Sequence, residues 1–87
     1  MLTEEQKEFL VNYRPENKKI TTKEEIKKII EVIKPSREMR NNVIEYYDEL
    51  LDAEYIDGKR TEKYFEIFNA MQSVATVLDF KYLQYNV

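Results

Sequence analysis

Four carboxylates recur at helical spacing within one short stretch of the chain: Glu45, Asp48, Glu49 and Asp52. Residues one helical turn apart lie on the same side of a helix, so these four side chains would form one acidic face. Clustered carboxylate oxygens could hold a hard cation, but the oxygen-rich loop that calcium sites use is missing. We therefore interpret the acidic face as a solvated surface that steers the protein toward a basic partner.

The amino-acid composition excludes most other kinds of catalytic, metal-binding and phosphate-binding site. The chain has no histidine and no cysteine, so the usual nucleophile–base pairs and most transition-metal sites are absent. Carboxylate di-metal sites in helical bundles also use histidine. The single glycine, Gly58, leaves no loop that could cradle a phosphate group. We predict a protein that is not an enzyme and that uses no metal or cofactor.

Charge is distributed unevenly along the chain. Basic residues are in excess over residues 14–40 and acidic residues over residues 41–87, within a net charge of −3. A basic run usually only solvates a surface, although it could also contact phosphates or an acidic protein patch. The charge pattern suits contact with a protein partner and does not by itself indicate nucleic-acid binding.

Apolar and aromatic side chains exceed what four short helices can cover. We call this excess the surplus apolar set: Tyr47, Tyr55, Phe65, Phe80 and Leu83. Exposed apolar patches on small proteins mark partner sites, and Tyr and Phe are favoured at the centres of interfaces. We therefore expect this set to contribute to partner binding, and we expect the protein to form a homodimer.

The elements that position these residues are helices. Two residue pairs have the spacing of a capping box at the start of a helix: Thr3 with Gln6, and Thr22 with Glu25. Ser36 and Thr61 are suitable N-caps for two further helices. Together with apolar periodicity, these signals predict helices over residues 4–13, 23–34, 37–56 and 62–84. We predict a single all-α domain over residues 1–87, a small bundle of about four helices that ends in a long antiparallel helical hairpin.

The Asp57-Gly58 pair has two interpretations. It is the sequence of a type I′ turn in a β-hairpin, or it marks a corner between two helices, with Gly58 just past a helix end. The return segment Lys59–Tyr64 lacks the apolar alternation of a half-buried strand. We favour the helical corner, in which Thr61 caps the last helix.

Two stretches resemble winged-helix transcriptional regulators: residues 34–40 (KPSREMR) and residues 49–56 (ELLDAEYI). In that family a Ser-Arg pair opens the recognition helix, and a Leu…Ala-Gly-x-Ile phrase leads to the wing. Glu54 stands where the family has glycine. The resemblance implies DNA contacts from the start of the third helix: Arg37, Arg40, Asn41 and Asn42. The acidic face farther along that helix would repel a polyanion, so DNA binding is the alternative prediction.

The remaining signals concern location and role. Glu4, Glu5 and Glu8 interrupt any signal-peptide core, and no apolar run approaches membrane-spanning length. We expect a cytoplasmic protein with no membrane partner. The residue usage fits AT-rich coding, as in a phage or other mobile element. The leading hypothesis is a non-catalytic interaction protein, a small regulator or inhibitor that occupies a surface of a larger protein.

Overall fold

The computed structural model describes the backbone of residues 1–85 and the side chains of residues 1–80. Helices account for 69% of the chain, so the prediction of a mainly helical protein is confirmed. Within the described residues the elements follow one another as α1 (Glu4–Asn12), α2 (Lys23–Val32), α3 (Arg37–Ala53), β1 (Tyr55–Ile56), β2 (Lys59–Arg60) and α4 (Glu62–Tyr85).

Side-chain caps start the helices where the sequence predicts. The Thr3 hydroxyl accepts a hydrogen bond from the Gln6 backbone N–H at 3.1 Å, and the Gln6 side chain accepts one from the Thr3 N–H at 2.9 Å. Thr22 and Glu25 form the same capping box at α2. These reciprocal bonds satisfy backbone donors that the first helical turn leaves unpaired. Both predicted capping boxes are confirmed.

The connection between α3 and α4 is a β-hairpin, so the predicted helical corner is wrong. Ile56 pairs with Lys59 and Tyr55 with Arg60 in antiparallel register. Asp57 and Gly58 both have positive φ angles, 54° and 75°, as a type I′ turn requires. All four strand residues are exposed, so neither side of the hairpin needs apolar residues. The lack of apolar alternation, which favoured a corner, therefore did not exclude a hairpin.

Hydrogen bonds between Glu54 and Thr61 join the two ends of the hairpin next to α3 and α4. The Thr61 backbone N–H donates to the Glu54 carbonyl oxygen at 3.1 Å, and the Thr61 hydroxyl donates to the Glu54 carboxylate at 2.8 Å. The same hydroxyl accepts from the Tyr64 N–H at 3.2 Å, so Thr61 is the predicted cap of α4. Glu54 therefore closes this hairpin at the position where the winged-helix pattern has glycine.

The core lies mainly between α3 and α4, which pack more extensively on each other than any other pair of helices. All four helices contribute fully buried side chains to it: Leu10 of α1, Ile29 of α2, Val43 of α3, and Val74 and Leu78 of α4. An ion pair joins Arg40, near the start of α3, to Asp79, near the end of α4.

Candidate functional site

All four residues of the acidic face lie exposed on one side of α3. The opposite side carries Val43, Tyr47 and Leu51, which are buried in the core. From Glu45 to Asp52 the helix advances about 10 Å. Among the described residues, none of these four carboxylates lies within ion-pair distance of a lysine or arginine. The acidic face is thus a concentrated patch of charge that the described chain does not neutralise.

The prediction that Tyr47 belongs to the surplus apolar set is wrong, because this side chain is buried. Its side chain is 0% exposed, and its hydroxyl donates to the Leu10 carbonyl oxygen of α1 at 3.3 Å. Burial raises the pKa of Tyr47 above the ordinary tyrosine range. The side of α3 that holds Tyr47 is turned into the core, whereas the neighbouring Tyr46 is half-buried and packs against the core from outside.

Of the other members of the surplus apolar set, Tyr55 lies in β1, Phe65 near the start of α4 and Phe80 near its end. Tyr55 is 54% exposed and Phe65 is 52% exposed, both near the hairpin. Arg60, opposite Tyr55 in the hairpin, lies over the Tyr64 ring at 5.1 Å, and that ring contacts Phe65 edge-on. Phe80 is 58% exposed but lies about 22 Å farther along the helix. Leu83 lies outside the residues whose side chains are described.

The alternative DNA-contact residues do not form one surface. Arg37 and Asn41 are exposed beside each other at the start of α3, at the edge of a cavity of about 290 Å³. Arg40 lines the same cavity but is paired with Asp79 of α4. Asn42 is turned inward, and its amide nitrogen is buried with no hydrogen-bond partner among the described residues. Two of the four side chains, those of Arg37 and Asn41, are therefore exposed together.

A polar contact that the sequence did not suggest joins α1 to α2. The Tyr13 hydroxyl donates to the Glu25 carboxylate at 2.5 Å. Burial and this hydrogen bond raise the pKa of Tyr13. Burial alone would raise the pKa of Glu25, but hydrogen bonds donated by Tyr13 and Thr22 outweigh it and hold that pKa below the ordinary value. Glu25 therefore serves both as the capping-box residue of α2 and as an anchor for α1.

A groove that was not predicted from the sequence lies beside α2. Two neighbouring cavities, of about 280 and 460 Å³, share Ile26 as a lining residue. We call them together the lysine-rimmed groove. Its apolar lining is Ile26, Ile30, Val77 and Phe80, and its basic rim is Lys19, Lys23 and Lys27. The signal in the sequence is the alternation of lysine and isoleucine along one helix face, which lies within the basic run over residues 14–40.

The described part of the chain shows neither a cluster of metal ligands nor a membrane-spanning helix. No group of three or more potential ligand residues is arranged there to hold a metal ion, and no helix there combines the length and apolarity needed to cross a bilayer. Comparison with known proteins finds no match, whether to a family model, a curated protein or a solved structure.

Proposed function

We propose that this protein is a non-catalytic interaction module, a small regulator or inhibitor, in which a bundle of about four helices presents the acidic face to a basic surface of a larger protein. The observation that carries the proposal is the exposure of Glu45, Asp48, Glu49 and Asp52 on one helix face without an ion pair among the described residues. A concentrated patch of one sign speeds encounter with an oppositely charged partner and disfavours like-charged ones.

Affinity needs more than charge, since exposed ion pairs contribute little net binding energy. Tyr55 and Phe65, half-exposed at the hairpin end of α4, are suited to supply buried contact area beyond the end of the acidic face. Aromatic side chains dominate binding energy when an interface excludes water from them. The proposed surface therefore runs along α3 and continues onto the hairpin end.

The test is capture of the partner with charge-reversed variants. Tagged protein is incubated with lysate of its source cell, and bound proteins are quantified by mass spectrometry at increasing salt. Asp48→Lys with Asp52→Lys should abolish capture of the specific partner. Wild-type capture should weaken as salt rises, because exposed charges are screened.

The matched control reverses Glu8 and Glu66, which are exposed acidic residues on α1 and α4. Glu8→Lys with Glu66→Lys gives the same change in net charge and should leave capture unchanged. The proposal fails if both double variants lose the partner equally, or if the α3 variant keeps it.

A second candidate function, DNA binding in the manner of a winged-helix regulator, is favoured by two observations. A paired β-hairpin follows α3 directly, and residues 33–36 connect α2 to α3 as in a helix-turn-helix. Lys59 and Arg60 of the hairpin are exposed and could contact a phosphate backbone. The acidic face opposes this function, because DNA carries one negative charge per roughly 1.7 Å of its axis.

The DNA candidate is tested by titrating fluorescent duplex DNA at several salt concentrations. Binding by the hairpin predicts a strong salt dependence, and Lys59→Ala with Arg60→Ala should reduce the salt slope by about one unit per lost phosphate contact. Arg37→Ala should weaken binding if the start of α3 enters the groove. Lack of binding at low salt would eliminate this candidate and leave the protein-interaction proposal intact.

We also propose that the protein forms a homodimer through apolar side chains exposed on α4. Phe65 is half-exposed, and a large aromatic side chain in that position suits a contact between copies. Sedimentation velocity should show a dimer that Phe65→Asp converts to a monomer. A wild-type monomer at high protein concentration would refute the dimer without affecting the proposed role of the acidic face.

A further inference from the structure

The lysine-rimmed groove combines an apolar floor with an unneutralised basic rim. Ile26 and Ile30 form its floor along α2 and also pack against the core from outside. Val77 extends the floor onto α4. Lys19, Lys23 and Lys27 are exposed, and within the described residues none of them forms an ion pair. Glu31, at the α2 end of the groove, is its one acidic lining residue among those described.

These features fit one class of ligand. We propose that the lysine-rimmed groove is a docking site for an acidic amphipathic helix of another protein. Two adjoining depressions that share Ile26 can each accept one apolar side chain of a docked helix, as in helix-in-groove recognition. Acidic residues that flank such anchors would complement the three lysines. This site is separate from the acidic face and does not depend on the function proposed for it.

Other occupants match the groove less well. A second copy of this chain would bring the acidic face, whose exposed aromatic neighbours Tyr55 and Phe65 lie beyond its end and not among its four carboxylates. Duplex DNA would match the lysines but has no apolar group for the depression between α2 and α4, since its backbone offers only phosphate and sugar. An acidic helix supplies both the charge and the anchors.

The test uses stapled helical peptides of roughly 15 residues, a length at which unstapled helices are marginal in water. One set carries leucines one turn apart with glutamates on either side. Two control sets replace the glutamates with lysine or the leucines with alanine. Fluorescence anisotropy should show binding of the acidic leucine set alone, and NMR should show shifts at Ile26, Ile30 and Val77.

Protein variants locate the binding. Lys23→Glu with Lys27→Glu should weaken binding about tenfold or more, since each reversal replaces an attraction with a repulsion. Lys59→Glu with Lys63→Glu makes the same charge change at exposed positions outside the groove and should change affinity less than about twofold. All four side chains are exposed, so the variants should fold; circular dichroism checks this. Asp48→Lys with Asp52→Lys should leave peptide binding intact.

Several results would overturn the proposal. It fails if no acidic leucine peptide binds at millimolar concentration, or if the lysine peptides bind equally well. It also fails if the NMR shifts cluster on the acidic face, or if the Lys23 and Lys27 reversals have no effect. Binding of duplex DNA that those reversals abolish, or a dimer that they dissociate, would assign the groove to another occupant and equally refute the proposal.

Discussion

At the scale of single residues, Tyr47 connects α3 to α1 through its hydroxyl group as well as its ring. Its O–H donates to the Leu10 carbonyl inside the core, so removing the hydroxyl leaves a buried acceptor without this partner. Tyr47→Phe should lower the free energy of unfolding by about 1 kcal/mol. Urea denaturation measures the change, and Tyr55→Phe, at a half-exposed site, should have almost no effect. Equal stability of the Tyr47 variant and wild type would contradict the buried bond.

Tyr13 and Glu25 give stability a defined pH dependence. The pKa of Glu25 is lowered in the folded state, so the unfolded chain binds the proton more readily. The free energy of unfolding should therefore fall as pH drops below about 4.3, the ordinary Glu value, and through the folded pKa. The pKa of Tyr13 is raised, so the unfolded chain loses that proton first. Stability should also fall as pH rises above about 10.

Tyr13→Phe separates these contributions. Removing the hydroxyl lets the pKa of Glu25 return toward its ordinary value, so the acid-side loss of stability should become smaller. The alkaline loss should shrink but persist, since burial also raises the pKa of Tyr47. Urea unfolding across the pH range measures both limbs. A profile identical to wild type at both ends would contradict the role of the Tyr13–Glu25 contact.

At the scale of elements, the turn of the hairpin depends on two left-handed residues. Asp57→Ala should destabilise the protein by about 1 kcal/mol, because alanine tolerates a positive φ less well than aspartate. Gly58→Ala should cost a similar amount for conformational reasons alone, since no atom lies within 4 Å of the Cβ it would add. Chemical denaturation measures both. Lys63→Ala, at an exposed helical position, is the control and should be nearly neutral.

Local signals predicted most of the elements but not the connection between the last two helices. The capping boxes of Thr3 and Thr22 act within four residues, so sequence alone located the starts of α1 and α2. The pairing of Tyr55 with Arg60 depends on main-chain hydrogen bonds and an exposed turn. The sequence of this hairpin therefore shows no apolar alternation from which the strands could be predicted. The predicted third helix therefore extended to residue 56, whereas α3 ends at Ala53.

The candidate surfaces could be predicted only in part for a related reason. Charge spacing within one helix was enough to place the acidic face together, because periodicity fixes which residues share a side. Which apolar stripe of α3 enters the core depends on how α1 and α4 pack around it, and that tertiary information placed Tyr47 inside. The lysine-rimmed groove combines residues of α2 and α4 that are distant in sequence, so no single stretch reveals it.

At the scale of the whole molecule, two exposed patches of opposite charge lie on different elements. The acidic face occupies α3, and the lysine rim lies on α2 and the segment that precedes it. Neither group is neutralised by an ion pair within the described residues. A small protein with unpaired patches of opposite sign can engage two different partners, each through electrostatic attraction that weakens at high salt.

Zero-length carbodiimide cross-linking tests the central claim, that the acidic face contacts a basic partner protein, because it joins only carboxylates and amines in direct contact. The protein is cross-linked in lysate of its source cell, and the linked peptides are sequenced by mass spectrometry. We predict bonds from Glu45, Asp48, Glu49 or Asp52 to lysines of one partner, lost when Asp48 and Asp52 are replaced by lysine. Links confined to Glu8, Glu66 and other acidic residues outside α3, or no intermolecular links, would contradict the account.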